Sequence, residues 1–141
     1  MAIPSVGGGY QSTDGNQGEI KFGVQIAPAT ATTSAALTTT QLSTGIITIN
    51  QGGGAATTLT LPTGTLMDAA YANLVTNNSI DIVFINVSTV GAEDATIAAG
   101  TGWTLVGNVT VASNAAVTDI SSALFRARKT GTATWSLYRL S

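Results

Sequence analysis

The sequence SSALFRARKTGTATWSLYRLS, residues 121–141, decides the fold class of this chain. Apolar and polar side chains alternate along two runs on either side of residues 129–132, as in two antiparallel strands joined by a tight turn. Gly131 lies in this turn and is predicted to supply the left-handed backbone that a short hairpin loop requires. The stretch therefore predicts a β-hairpin that closes a sheet.

The hairpin also contains most of the positive charge of the chain. Four of the five basic residues lie in it, namely Arg126, Arg128, Lys129 and Arg139. Asp81 lies in an apolar stretch, and a carboxylate in a buried strand requires a partner. We therefore predict that Asp81 pairs with an arginine of the hairpin, and that Asp81, Arg126, Arg128 and Arg139 form ion pairs within one subunit or across a subunit interface.

The composition argues against several classes of function. The chain has no cysteine and no histidine, so the commonest metal ligands and the commonest general base are missing. Only 9% of the residues are charged and the net charge is −2, which argues against a nucleic-acid partner. No apolar run of about 18 residues occurs, so no membrane span is predicted. Such scarce charge indicates that other subunits or a partner cover much of the surface.

The N-terminal region differs in composition from the rest of the chain. Residues 1–18 are rich in glycine and are predicted to form an extended arm, in which Ile3, Val6 and Tyr10 are the side chains able to anchor it on a neighbour. Residues 19–141 are predicted to form a single domain. The alternation of residues 19–27 predicts a half-buried strand at its start.

The remaining elements are predicted to be short strands with one helix. GIITIN (45–50) and AATTLTL (55–61) suggest a hairpin around the glycines between them. Apolar side chains at helical spacing predict a helix at about 65–75, with Thr65 as its N-cap. Further strands are predicted over 80–87, 95–98, 103–106 and 108–112. This pattern indicates an all-β chain, specifically a β-sandwich or jelly roll with one short helix and the N-terminal arm.

Candidate sites for chemistry are weak. Neither glycine triplet, 7–9 or 52–54, has the Lys-Ser/Thr ending of a phosphate loop, so turns are expected. Glu93 and Asp94 are predicted to lie in a solvated loop, because the acidic residues are too sparse for a calcium cage, although a cation at a subunit interface stays open. Trp103 and Trp135 are predicted to be core residues rather than sugar-stacking platforms. No catalytic residue, metal or cofactor is predicted.

Several stretches together resemble a known family. They are TLTLPTG (58–64), SIDIVFINVS (79–88), AAGTGWTLVGNVTV (98–111), LFRARKTGTATWSLYR (124–139) and, before them, GGGYQSTDGNQGEIKFGVQ (7–25). In this order they resemble the small structural proteins of tailed bacteriophages, in particular capsid decoration (cement) proteins. The resemblance covers most of the chain and contains no catalytic signature.

The resemblance implies a function as well as a fold. It implies a β-sandwich subunit, commonly a homotrimer, on the outer surface of the phage capsid, with the major capsid protein as its partner. Such a protein stabilises the head by bridging capsid subunits and is not an enzyme. The alternative is a head- or tail-fibre module that recognises a glycan on the host surface through exposed tryptophan or tyrosine side chains.

Overall fold

The structure, a computed structural model, describes residues 5–6, 9–10 and 24–141. Within the predicted arm, β1 (Ser5–Val6) pairs antiparallel with β2 (Gly9–Tyr10), which differs from a wholly extended arm. The strand predicted at 19–27 lies partly outside the described residues. Its described part, from Val24 onward, forms no regular structure up to Pro28.

Two sheets form the body of the protein, and the mainly-β prediction is confirmed. The six-stranded sheet has the order β3-β5-β7-β11-β12-β9, and the four-stranded sheet has the order β10-β8-β6-β4. Their strands are β3 (Ala29–Ala31), β4 (Ala35–Ala36), β5 (Ile46–Ile49), β6 (Thr57–Thr60), β7 (Ser79–Asn86), β8 (Ala95–Ala98), β9 (Trp103–Val106), β10 (Thr110–Val111), β11 (Ser122–Gly131) and β12 (Thr134–Arg139).

The chain passes alternately between the two sheets from β3 to β10. As a result β3, β5 and β7 are parallel neighbours in one sheet, and β4, β6 and β8 are parallel neighbours in the other. The pairs β3–β4, β5–β6 and β7–β8 are therefore three successive coils stacked side by side, as in a short β-solenoid. We call this unit the coil stack.

The hairpin predicted at residues 45–61 is wrong. β5 and β6 lie in different sheets, and the loop between them crosses from one sheet to the other. Gly52 and Gly54 have positive φ values of 67° and 75°, so the glycine triplet shapes the crossing and not a tight hairpin turn.

The jelly-roll part of the fold prediction is not confirmed. Jelly rolls are built from antiparallel strands, whereas five of the nine strand pairs among the described residues are parallel. Alternation along a strand reports which face is buried and is the same for both pairing directions. The sequence therefore indicated strands without indicating how they connect.

The C-terminal hairpin is present, although its turn differs from the predicted one. β11 and β12 pair antiparallel, with an irregularity in register between Lys129 and Gly131. The residue with left-handed backbone is Ala133, with φ 53°, and not Gly131. An alanine in this conformation is uncommon, and the contacts of the Ala133 backbone described below explain why it is held there.

Both helices in the described part of the chain are short. α1 (Thr39–Ser43) begins with a capping box between Thr38 and Gln41. α2 (Gly64–Ala70) is capped by Thr63, whose hydroxyl accepts a hydrogen bond from the Leu66 N–H at 3.3 Å. The predicted span of 65–75 with Thr65 as N-cap was therefore displaced and too long.

The core lies between the two sheets. Its largest fully buried side chains include Trp135, Phe84 and Phe125, and the two phenylalanine rings meet edge to face with centroids 5.7 Å apart. Trp135 packs against Trp103, with ring centroids 5.8 Å apart. The prediction that both tryptophans are core residues is confirmed, with 1% exposure for Trp135 and 9% for Trp103.

Candidate functional site: the outer face of the six-stranded sheet

The outer face of the six-stranded sheet bears an apolar row. The register of the strands aligns Ile46 of β5 with Val83 of β7, and Val83 with Leu124 of β11. Leu140 continues the row, because its N–H donates to the Leu124 carbonyl oxygen at 2.8 Å. The first three side chains are half-buried and Leu140 is 48% exposed. We call these four residues the apolar row.

Charged residues lie beside the apolar row on the same face. Asp81 of β7 is directly opposite Arg126 of β11. The guanidinium donates through Nε to Oδ1 at 2.7 Å and through Nη2 to Oδ2 at 2.8 Å, which is a bidentate ion pair. The Arg126 hydrogen bonds lower the pKa of the Asp81 carboxyl. The predicted pairing of Asp81 with a hairpin arginine is thus present within one chain, although Asp81 is exposed rather than buried.

Arg128 extends the polar part of this face. Its guanidinium donates to Asn77 Oδ1 at 2.7 Å and to the Tyr138 hydroxyl at 3.1 Å, and it lies 5.8 Å from the Tyr138 ring centroid. The hydrogen bond from Arg128 lowers the pKa of Tyr138. In the described part of the chain Arg128 therefore binds neutral oxygens and not a carboxylate.

Arg139, the fourth predicted residue, joins the two sheets and lies off the outer face. It stacks 5.9 Å from the centroid of Phe125 and donates through Nη1 to the carbonyl oxygens of Asn108 at 3.3 Å and Thr110 at 2.5 Å. Thr110 belongs to β10 of the four-stranded sheet. Arg139 thus connects β12 to the opposite sheet through main-chain oxygens, and the structure gives it a structural role.

Asp68 is a residue of structural importance that the sequence did not single out for this role. Its carboxylate accepts the Ala133 N–H at 2.8 Å and the Trp135 indole N–H at 3.0 Å, and lies 3.0 Å from Lys129 Nζ. The Ala133 hydrogen bond is the main cause of its lowered pKa. Asp68 therefore fixes the turn of the hairpin against α2. Its position in the sequence had suggested a capping-box interaction with Thr65 and with the helix dipole.

The prediction that Glu93 lies in a solvated loop is wrong. Glu93 is 1% exposed, and its carboxylate accepts the N–H groups of Gly52 at 3.2 Å and Gly54 at 2.5 Å and the Ser88 hydroxyl. The Ser88 hydrogen bond is the main cause of its lowered pKa. The glycine loop does bind an anion, as backbone nests do, but the anion is a side chain of the same chain.

Asn86 completes the polar network around Glu93. Its side-chain nitrogen donates to the carbonyl oxygens of Glu93 at 2.8 Å and Val111 at 3.3 Å. The Asn86 side-chain oxygen accepts the Ser88 N–H at 3.1 Å. A glycine triplet and a distant glutamate are too common in sequences for this arrangement to have been predicted.

The predicted arm contacts lie largely outside the described structure. Ile3 is outside the described residues. Val6 and Tyr10 are described only as backbone, in β1 and β2 respectively, so their predicted contacts with a capsid or a neighbour remain predictions.

Two other kinds of site are missing from the described residues. No group of three or more acidic side chains is arranged to hold a metal ion in the part of the chain that the structure describes. Neither described helix is long and apolar enough to cross a membrane.

Comparisons with known proteins find no match. No protein-family model, curated protein sequence or solved structure matches this chain. The geometry of the outer face is therefore the basis for a functional proposal. This face presents an apolar row beside the Asp81–Arg126 pair and the Arg128 guanidinium.

Proposed function

We propose that this chain is a bacteriophage capsid decoration protein, and that the outer face of the six-stranded sheet is its main contact with the major capsid protein. The observation that supports this most directly is the apolar row on a face where a monomeric protein usually has polar side chains. The bidentate Asp81–Arg126 pair beside the row carries no net charge. A large neutral protein surface can cover the apolar row and this pair without leaving either of the two charges unpaired, while Arg128 beside them keeps its hydrogen bonds to Asn77 and Tyr138.

The proposed mechanism is physical rather than enzymatic. Subunits, acting as homotrimers, bind the outside of the head and bridge neighbouring capsid subunits. The N-terminal arm with Ile3, Val6 and Tyr10 adds a second contact on the capsid or on a neighbouring subunit. Because the same weak contacts repeat over the shell and within each oligomer, their effect on binding multiplies.

A binding experiment with a matched control tests the role of the outer face. Leu124→Asp should reduce binding to undecorated capsids, assembled from the major capsid protein of the same virus, by at least about tenfold, which corresponds to about 1.4 kcal/mol. Val117→Asp changes a fully exposed valine that lies in a loop outside both sheets and should leave binding unchanged. Equal binding by both variants, with unaltered circular dichroism, would exclude the outer face as the capsid contact.

The contribution of the arm is tested separately. Deletion of residues 1–17 should weaken capsid binding, because the second contact is lost, while the circular dichroism spectrum and the melting temperature of the domain stay close to those of the full chain. Full retention of binding would remove the arm from the mechanism.

Glycan recognition by a fibre module receives less support from the structure. Both tryptophan rings, which were the candidate stacking platforms, are buried. Tyr138 is half-buried on the outer face and its hydroxyl is engaged by Arg128. Specific binding of the purified protein to a glycan array, without binding to capsids, would favour the fibre module over decoration.

A further inference from the structure

The coil stack has an open end. β3 is an edge strand of the six-stranded sheet and β4 is an edge strand of the four-stranded sheet. Between them lies a cavity of about 130 Å³, with Ala31, Leu37 and Leu59 as its apolar floor and polar side chains elsewhere in its lining, namely Thr30, Thr32, Thr33 and Gln41. Small-molecule sites usually have volumes of about 300–1,000 Å³, so this cavity suits one or two side chains.

The backbone of β4 is available for pairing on its outer side. The Leu37 N–H donates to the Thr60 carbonyl oxygen at 2.7 Å, toward the interior of the sheet. Successive residues of a strand direct their backbone groups to opposite sides, so the N–H and C=O of Ala36 point away from the sheet. The two alanines of β4 are exposed and have no large side chain to shield the edge, and an unshielded edge accepts a further strand readily.

The segment Val24 to Ala27 has exposed apolar side chains. Val24 is 95% exposed and Ile26 is 52% exposed, and these two alternating apolar side chains have little cover from the described part of the chain. The sequence alternation predicts a strand here, yet these four residues form none in the described structure. The segment thus has the pattern of a strand but lacks a sheet.

We propose that Val24 to Ala27 of one copy adds as a strand to β4 of a second copy, with Val24 and Ile26 entering the cavity. Such strand addition combines main-chain hydrogen bonds with pockets for alternate side chains. The apolar floor of the cavity, Ala31, Leu37 and Leu59, is at most 6% exposed and matches these two side chains.

The partner is a second copy because the segment is held elsewhere in its own chain. The Gln25 side chain donates to the Thr44 carbonyl oxygen at 2.8 Å, which places the segment beside the start of β5 and not beside β4. Each chain then offers one donor strand and one acceptor edge. Head-to-tail contacts of this type close into rings when the rotation between copies permits.

The strand addition involves only copies of this chain and not the capsid, so its test needs no capsid. The chain has no cysteine, so introduced cysteines report specific contacts. With Val24 and Ile26 directed inward, Ala27 lies on the outer side of the added strand. Ala36 pairs in register with Thr60 and shares that outer side.

Crosslinking distinguishes exchange between copies from docking within one chain. Ala27→Cys chains mixed with size-tagged Ala36→Cys chains should form a mixed disulfide dimer as the main product under mild oxidation. Ala27→Cys mixed with Val117→Cys is the control and should give only a minor product. Equal yields in both mixtures would overturn the proposal, and so would disulfide closure within monomers of a chain that carries both Ala27→Cys and Ala36→Cys.

A second measurement does not depend on disulfide geometry. The double substitution Val24→Asp and Ile26→Asp should convert the oligomer to a monomer in light scattering, while Val117→Asp should leave the oligomer intact. Both changes affect side chains that are exposed in the single chain, so folding should be preserved. A double variant that keeps the oligomeric mass of the unmodified protein would contradict the proposed strand addition.

Discussion

Asp68 and Asp81 each form an ion pair, but the two pairs differ in exposure and therefore in their contribution to stability. Asp68 accepts two N–H groups of the hairpin and contacts Lys129, with 20% of its side chain exposed. Asp81 forms a bidentate pair with Arg126, but about half of each side chain is exposed. Water screens the second pair strongly, so its contribution to stability is small.

Substitution by asparagine should affect the free energy of unfolding more at Asp68 than at Asp81. Asp68→Asn removes the charge and directs an amide N–H toward groups that are themselves donors, so it should lower the free energy of unfolding by roughly 1.5–3 kcal/mol. Asp81→Asn should lower it by at most about 1 kcal/mol. Chemical denaturation of both variants measures the difference, and a larger loss for Asp81→Asn would show that the Asp68 contacts do not hold the hairpin.

The Glu93 carboxylate should make the stability of the protein sensitive to acid. Its folded pKa is lowered, chiefly by the Ser88 hydrogen bond, from an ordinary value of 4.5. A carboxylate with a lowered folded pKa contributes stability that is complete above about pH 4.5 and is lost as the pH falls through the folded value. Asp68 and Asp81, whose pKa values are also lowered, act in the same direction.

Glu93→Gln should therefore flatten the dependence of stability on pH below about pH 5. The variant should also be less stable than the unmodified protein at neutral pH, because the glycine N–H groups lose an ionised acceptor. Melting temperatures across this pH range provide the measurement. An unchanged pH slope would mean that Glu93 is not ionised in the folded loop.

At the scale of elements, the contact between α2 and the hairpin turn is unusually close. A Cβ atom added to Gly64 would lie 2.0 Å from the Ala133 carbonyl oxygen, and one added to Gly102 would lie 2.2 Å from the same oxygen. The Ala133 carbonyl is thus packed between two glycines while its N–H binds Asp68. These contacts explain how a non-glycine residue is kept at positive φ.

Gly64→Ala should destabilise the protein by about 1–3 kcal/mol, because the added methyl group must displace backbone. Helix propensity alone would predict the opposite sign, a gain of at most about 1 kcal/mol, because Gly64 is the first residue of α2 and the full value applies to helix interiors. Gly53→Ala is the control, since its Cβ would meet only the Gln51 side chain at ordinary distance, and it should change stability by less than about 1 kcal/mol. A stabilised Gly64→Ala variant in urea denaturation would contradict the close packing.

Trp135 joins the hairpin to the core through its ring and to Asp68 through its indole N–H. Trp135→Ala should lower the free energy of unfolding by about 3–5 kcal/mol. Val117→Ala, at a fully exposed site, should change it by no more than about 0.5 kcal/mol. A loss below about 1 kcal/mol for Trp135→Ala, measured by denaturation, would show that the ring is not part of the core.

At the scale of the whole molecule, order should be greatest at the centre of the six-stranded sheet and least at the open end of the coil stack. β7 and β11 have a paired strand on both sides, whereas β4 has a partner on one side only among the described strands. Amide protons of β7 and β11 should therefore exchange at least about tenfold more slowly than those of β4 in the monomeric Val24→Asp and Ile26→Asp variant. Equal protection of β4 in that monomer would indicate a cover supplied by the chain itself.

Several features followed from the sequence because they depend on local physics. Strands at 46–49, 95–98 and 103–106, the C-terminal hairpin and the buried tryptophans all arise from alternation of side chains across a pleated strand. The pairing of Asp81 with an arginine of the hairpin was expected, but the reason for it, burial of Asp81, is wrong because Asp81 is exposed.

Other features were decided by the tertiary structure. Alternation is identical for parallel and antiparallel pairing, so the sequence indicated strands but not the coil stack. The preference of glycine for left-handed backbone predicted Gly131 as the turn residue. The close contacts of Ala133 with Gly64, Gly102 and Asp68 hold Ala133 in that conformation instead. The binding of Glu93 by the glycine loop joins residues about forty positions apart. Only the folded chain brings such groups together, because their attraction acts over a few ångströms and has no periodic signature in the sequence.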